Sequence, residues 1–304
     1  MASCANALHP EAGVTESLAK ERAARVADVR YALSFTIPAD RTTRVAGRAT
    51  ITFTLSDTAA PLALDFAPNQ MGALHHIQAG RSPIDASLIN GHIILPASAL
   101  RTGANTIALD FDAGDAPLNR SDDFMYTIFV PARAHEAFPC FDQPDLKARW
   151  TLALDVPAGW ETIANGAETG RASNDGCTRL TFAETAPLST YLFAFAAGTF
   201  DVEHAERNGR AFRLLHRETD AQKVDRNRNA IFDLHASALD WLERYTGIPY
   251  QFGKFDVLLL PAFQFGGMEH PGAVFYNAPD VLLDRSATQQ DLLRRASLIS
   301  HETS

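Results

Sequence analysis

From residue 29 to about residue 200 the chain keeps an apolar period of two, and no other feature limits its fold as strongly. Tyr31, Leu33, Phe35 and Ile37 alternate with small or polar residues, as do Ala49, Ile51, Phe53 and Leu55. Such alternation describes strands buried on one face. The turns agree: Asn90-Gly91 separates Leu88-Ile89 from the run beginning at His92, and Asp175-Gly176 precedes the run from Cys177 to Phe182. Both dipeptides supply the positive φ angles of a tight hairpin. About ten short strands with no long helix predict an all-β domain of sandwich type over residues 29–207. Residues 1–28 precede it; their Ala, Glu, Lys and Arg content over 11–27 predicts a short helix or frayed arm, to which no function attaches.

The period then changes. After a hairpin turned by Asn208-Gly209, the residues Val224, Ile231, Leu234, Ala238, Trp241 and Tyr245 fall seven, three, four, three and four apart. That spacing predicts one apolar helix face, stopped by Gly247 and Pro249. The runs 255–260 and 268–276 read as buried strands. A last helix is expected to begin near Thr288, with Asp291 closing a capping box and Leu292, Ala296 and Ile299 forming the apolar stripe. At about 100° per residue, His301 then lies nearly opposite that stripe and turns towards a cleft. Residues 208–304 are thus a second, α+β region.

Composition narrows the functions. A chain of 304 residues accommodates about two domains at ~150 residues each. A formal charge of -9, from 27 Lys+Arg against 36 Asp+Glu, argues against a nucleic-acid partner, which needs a basic surface. Cys4, Cys140 and Cys177 lack metal-like spacing and give no disulfide framework. No run reaches transmembrane length, and the start of the chain lacks the basic region and apolar core of a signal peptide. The expected compartment is therefore cytoplasmic.

Four stretches stand out. Residues 137–145, with two aromatics, two prolines and two acids, read as an ordered loop with buried rings, and Cys140 as core rather than nucleophile. His75 and His76 are adjacent and would point to opposite faces of a strand. Gly266-Gly267-Met268-Glu269 sets a glycine pair before a carboxylate, and His270 reads as a strand residue oriented by packing. His301-Glu302 opens a zinc-peptidase H-E-x-x-H pattern, and the given sequence stops one residue before the second histidine.

Taken together, Phe138-Pro139-Cys140-Phe141-Asp142-Gln143-Pro144-Asp145-Leu146-Lys147, Tyr191-Leu192-Phe193-Ala194-Phe195, Gly266-Gly267-Met268-Glu269-His270-Pro271-Gly272-Ala273 and His301-Glu302 resemble the aminopeptidase N family of zinc peptidases. The resemblance runs from about Tyr31 onwards. It implies a β-saddle domain followed by the opening portion of a thermolysin-like catalytic domain, cut within its zinc motif.

It also implies roles. His301 would be the first zinc ligand, Glu302 the general base, and Glu269 the partner of the substrate's α-ammonium. Gly266, Gly267 and Met268 would bring a strand edge close to the peptide backbone. The intact protein would hold Zn2+ and act on peptides with a free N-terminus; the chain as given is expected to be inactive and to bind no metal tightly. Two departures stand against the family pattern G-x-M-E-N: its fifth position is His270, and Val130 stands where many members place a second amine-binding Glu or Gln. The competing reading is a non-catalytic β-sandwich interaction module with a peptide-binding strand edge, which a natural stop codon after Ser304 would favour.

Overall fold

The computed structural model describes residues 9–68 and 73–304, which leaves Cys4 outside the described residues. In chain order the first elements are α1 (Glu16–Arg25), β1 (Val26–Thr36), β2 (Ala46–Leu55), β3 (Leu62–Asp65) and β4 (Leu74–Ala79). Then come β5 (Ser82–Pro83), β6 (Ser87–Ile89), β7 (His92–Leu95), β8 (Gly103–Asp112) and β9 (Phe124–Tyr126). The short α2 (Ala134–Ala137) leads to β10 (Arg149–Pro157), β11 (Glu161–Ala164), β12 (Glu168–Asn174) and β13 (Cys177–Phe182). The remainder is β14 (Phe195–Gly198), β15 (Asp201–Arg207), β16 (Arg210–His216), α3 (Ala221–Thr246), β17 (Phe255–Leu260), β18 (Gly267–Met268), β19 (Ala273–Asn277), α4 (Ala278–Val281) and α5 (Gln289–Thr303).

The chain forms two compact units: residues 1–158 with 168–193, and residues 159–167 with 194–304. The division falls earlier than the boundary read at 207, because β15 pairs with β16 and β16 with β17, which draws that hairpin into the second unit's sheet. The excursion carrying β11 also belongs there, paired with β14.

The first unit is almost wholly β. An eight-stranded sheet runs β12-β13-β10-β1-β2-β8-β4-β5, and a three-stranded sheet runs β3-β7-β6. The period of two is realised in β1, where Tyr31, Leu33 and Phe35 are buried and their neighbours are not. All three hairpin dipeptides take positive φ at both residues, as at Asn90 (49°) and Gly91 (81°). The arm at 11–27 is a capped helix, Thr15 accepting from Leu18 N, and it buries Arg22 against Asp65. A buried guanidinium needs such a partner, and the bidentate pair supplies it. The 137–145 loop does bury its rings: Phe138 and Phe141 are inaccessible, as is Cys140. His75 and His76 are both exposed, because a bulge between Leu74 and His76 breaks the alternation that would have put them on opposite faces.

The second unit is a five-stranded sheet, β15-β16-β17-β19-β18, covered by helices. β16, β17 and β19 are parallel, and β17 is buried along its whole length, as parallel central strands are. Phe212, Leu214, Val257 and Leu259 of the sheet meet Ile231, Phe232 and Leu239 of α3 and Ile299 of α5 in one core.

Three sequence expectations change here. The run 268–276 is not one strand: Pro271 and Gly272 turn it, leaving β18 and β19 antiparallel. In α3 the expected face is buried at Val224 and Ile231 and half-buried against the core at Leu234, but its far end, Trp241 and Tyr245, is not core. Trp241 is 54% and Tyr245 76% exposed, while Phe232, His235 and Leu239, lying roughly 150° around from Trp241 at 100° per residue, are buried. A count of apolar spacings has no way to credit His235, whose two ring nitrogens meet Ile231 O (2.8 Å) and Tyr276 Oη (3.0 Å). In α5 the capping box of Thr288 and Asp291 forms, but Leu292 is exposed and the buried set is Arg295, Ile299 and Glu302. Arg295 donates from Nη1 to Asn227 Oδ1 at 2.7 Å while its Nε has no partner among the described residues, so two charged residues sit where an apolar stripe was expected. No helix among the described residues is long and apolar enough to cross a membrane.

Candidate active site

β18 is the last strand of its sheet, and beyond its pairing with β19 (Gly267↔Tyr276, Met268↔Phe275) its other edge has no strand partner among the described residues. Such an edge can add an extended peptide. Helix α5 packs against it, and the glycines explain how close it comes. A Cβ on Gly267 would stand 2.5 Å from Glu302 Cγ and 2.7 Å from Glu302 Oε1; one on Gly266 would stand 3.2 Å from Leu298 Cδ1. The absent side chain at Gly267 is therefore filled by Glu302. The sequence reading gave these glycines to the approach of a peptide; the structure gives Gly267 first to the approach of Glu302.

Glu302 is buried, 8% exposed, on the face of α5 that carries Ile299. Burial raises its carboxyl above the ordinary range, the neighbouring His301 pulls the other way, and the charge of Glu269 adds to the rise. Glu269 itself is exposed, Met268 beside it is buried, and His301 is exposed, its imidazole making no hydrogen bond or ion pair among the described residues while its carbonyl accepts from Ser304. The expected site residues Gly266, Gly267, Met268, Glu269, His301 and Glu302 thus gather around one strand and one helix of the second unit. Val130 belongs to the first unit, in the segment after β9, and is half-buried.

Sequence reasoning missed Tyr276. Its hydroxyl donates to His235, whose Nδ1 proton is committed to the Ile231 carbonyl, and burial together with the charge of Glu302 holds the phenol well above its ordinary range. His270 is wholly buried, its ring edge-on to Phe275 with centroids 4.8 Å apart, and neither ring nitrogen has a hydrogen-bond partner among the described residues. Packing orients it; burial depresses its pKa to about 3.

A metal needs more donors than this. Among the described residues no group of three His, Cys, Asp or Glu side chains could hold one. His301 offers one exposed imidazole, and a stable zinc site takes at least three protein ligands.

Comparison with known proteins bears on both units. The sequence matches the Peptidase M1 N-terminal domain over residues 115–192 and the Peptidase family M1 domain over residues 231–304. It is similar to the glutamyl aminopeptidase of Sus scrofa, 29% identical over 175 residues, 57% of this chain and 18% of that protein. It is 30% identical to the leucyl aminopeptidase of Saccharolobus solfataricus over 176 residues, 58% of this chain and 22% of that one. Aminopeptidase M1 of Arabidopsis thaliana is 32% identical over 180 residues, 58% of this chain and 20% of that protein. The matched region spans about one-fifth of the length of these relatives.

Proposed function

As the chain belongs to peptidase family M1, the aminopeptidase N family, we propose that the whole protein is a zinc metalloaminopeptidase releasing the N-terminal residue of peptides. In this reading the second unit is the opening portion of a thermolysin-like catalytic domain. His301 is one metal ligand, and the remaining donors belong to sequence that follows Ser304 in the family. Zinc held by such a set lowers the pKa of a coordinated water to ~7.

The residues of this chain do the rest. Glu302 takes the proton of the attacking water and passes it to the departing amine; a carboxyl raised by burial is the stronger base for that task. Glu269 pairs with the substrate's α-ammonium, a charge-assisted contact that fixes which bond is presented. The free edge of β18 holds the peptide backbone, with Gly266 and Gly267 adding no side chain to keep it away.

The observation that carries this reading is Glu302 seated in the space left by Gly267, with Glu269 two residues further along the same edge. Its test is an amino-acid anilide assay on the full-length protein. Glu302→Ala should lower kcat at least about a hundredfold, because it removes the base, while zinc content is kept. Near-normal turnover by a zinc-loaded Glu302→Ala protein would rule the assignment out.

A further inference from the structure

Residues 270–273 form a turn in which Ala273 N donates to His270 O at 2.9 Å, with Pro271 and Gly272 (φ 76°) in the two central places. This is the arrangement that a type II turn demands of Pro and Gly. Of the four residues from Glu269 to Gly272, His270 and Gly272 are buried, Pro271 is half-buried and Glu269 is exposed. The turn is a mount, and the side chain it presents is the carboxylate of Glu269.

Groups from distant parts of the second unit hold that mount. Gly272 N donates to Tyr250 Oη at 2.9 Å. Gly272 O accepts from Asp256 N at 3.2 Å and from Lys254 Nζ. Asn165 Nδ2 donates to Pro271 O at 3.0 Å, and Asn165 Oδ1 in turn accepts from Ala194 N at 2.7 Å. Lys254 is 13% exposed at its side chain, and while burial lowers its pKa, Asp256 Oδ2 at 2.8 Å opposes that shift and also receives Arg213 at 2.6 Å. A lysine ammonium is expensive to bury, and its work here is to grip one backbone carbonyl.

We propose that Tyr250, Lys254 and Asn165 are positioning residues for amine recognition: they fix the 270–273 turn and so set where Glu269 meets the N-terminus of a bound peptide. None of the three touches substrate. The proposal rests on the role given to Glu269 above. It adds that the preference for a free N-terminus is carried jointly by Glu269 and by the three groups that immobilise its turn.

Two variants test it in the full-length protein, Tyr250→Phe, which removes one hydroxyl, and Lys254→Met, which removes the ammonium. Each should raise KM for a peptide with a free N-terminus by at least about tenfold with kcat nearly kept, and Lys254→Arg should recover part of the loss. In the present chain, hydrogen exchange at Gly272 should accelerate by about tenfold or more in Tyr250→Phe, with β17 unchanged. If Lys254→Met does not fold, Tyr250→Phe alone decides. Faster exchange with unchanged KM overturns the proposal and leaves the role of Glu269 standing. Loss of free-terminus preference in neither these variants nor Glu269→Ala removes the underlying reading instead.

Discussion

Gly272→Ala is the substitution whose cost is best defined by the structure. Gly272 has φ of 76°, a conformation that costs a residue with a Cβ roughly 1–2 kcal/mol. In addition the new Cβ would stand 2.5 Å from the backbone carbonyl oxygen of Asn165. A backbone atom cannot swing aside, so the strand end carrying Asn165 must move, an overpacking penalty of roughly 1–3 kcal/mol. The sum is about 2–5 kcal/mol, enough to threaten a unit of ordinary stability. Gly209→Ala is the control within the same unit, with φ of 75° and nothing within 4 Å of the added atom, so it should show the backbone part alone, roughly 1–2 kcal/mol. Gly267→Ala is the second control. Its clash distance is also 2.5 Å, but the atoms it meets belong to the Glu302 side chain, which can rotate away. Because the chain has two units, the assay is urea unfolding followed by hydrogen exchange in β17 and β19 rather than a single global transition. If Gly272→Ala proves no more destabilising than Gly209→Ala, the close approach of Asn165 is not a constraint and the reasoning fails.

Acid should weaken the second unit through two buried imidazoles. Burial lowers His235 to about 4 and His270 to about 3, both from an ordinary value of 6.5. A depressed folded-state value means that the unfolded chain binds the proton first, so stability is full above pH ~6.5 and falls as pH drops towards those values, by roughly 3–5 kcal/mol for each group at most. Equal protection factors in β19 at pH 7 and pH 5, with the intrinsic pH dependence of amide exchange divided out, would contradict this. At the surface, Trp241 and Tyr245 stack on each other with centroids 4.9 Å apart while remaining exposed, so Trp241→Ser should change the chain's stability by no more than about 0.5 kcal/mol. A loss of 2 kcal/mol or more in urea unfolding would mean that this end of α3 is buried after all.

The parts of this protein that were legible in its sequence are those set by local rules. Alternation gave the strands around Tyr31 and Ile51, Asn-Gly and Asp-Gly gave three hairpins with the positive φ they require, and Thr288 with Asp291 gave a helix start that forms its capping box. The family motifs led to Glu269, His301 and Glu302, and the second unit does bring these onto one strand edge and one helix. What stayed hidden depends on partners far away in the chain. Nothing near Gly267 announces that Glu302 will fill its missing side chain, and nothing near Gly272 points to Asn165, more than a hundred residues earlier. Helix faces were misread for a related reason: Arg295 and His235 are polar yet buried, because Asn227 and Tyr276 wait for them. A hydrophobic pattern has no term for a polar group that is buried with a hydrogen-bond partner.

The most direct measurement of the central claim is the ratio of kcat/KM for a peptide with a free N-terminus to that for its N-acetylated counterpart, taken on the full-length protein with and without Glu269→Ala. Acetylation removes the cation that Glu269 is proposed to hold and leaves its carboxylate, exposed in the free protein but taken out of water beneath the bound peptide, without a partner, at a cost on the order of 3 kcal/mol. The native protein should therefore favour the free peptide by at least about a hundredfold, and Glu269→Ala should lose most of that preference. Equal cleavage of the two peptides by the native protein, or a preference unchanged in Glu269→Ala, would contradict the account.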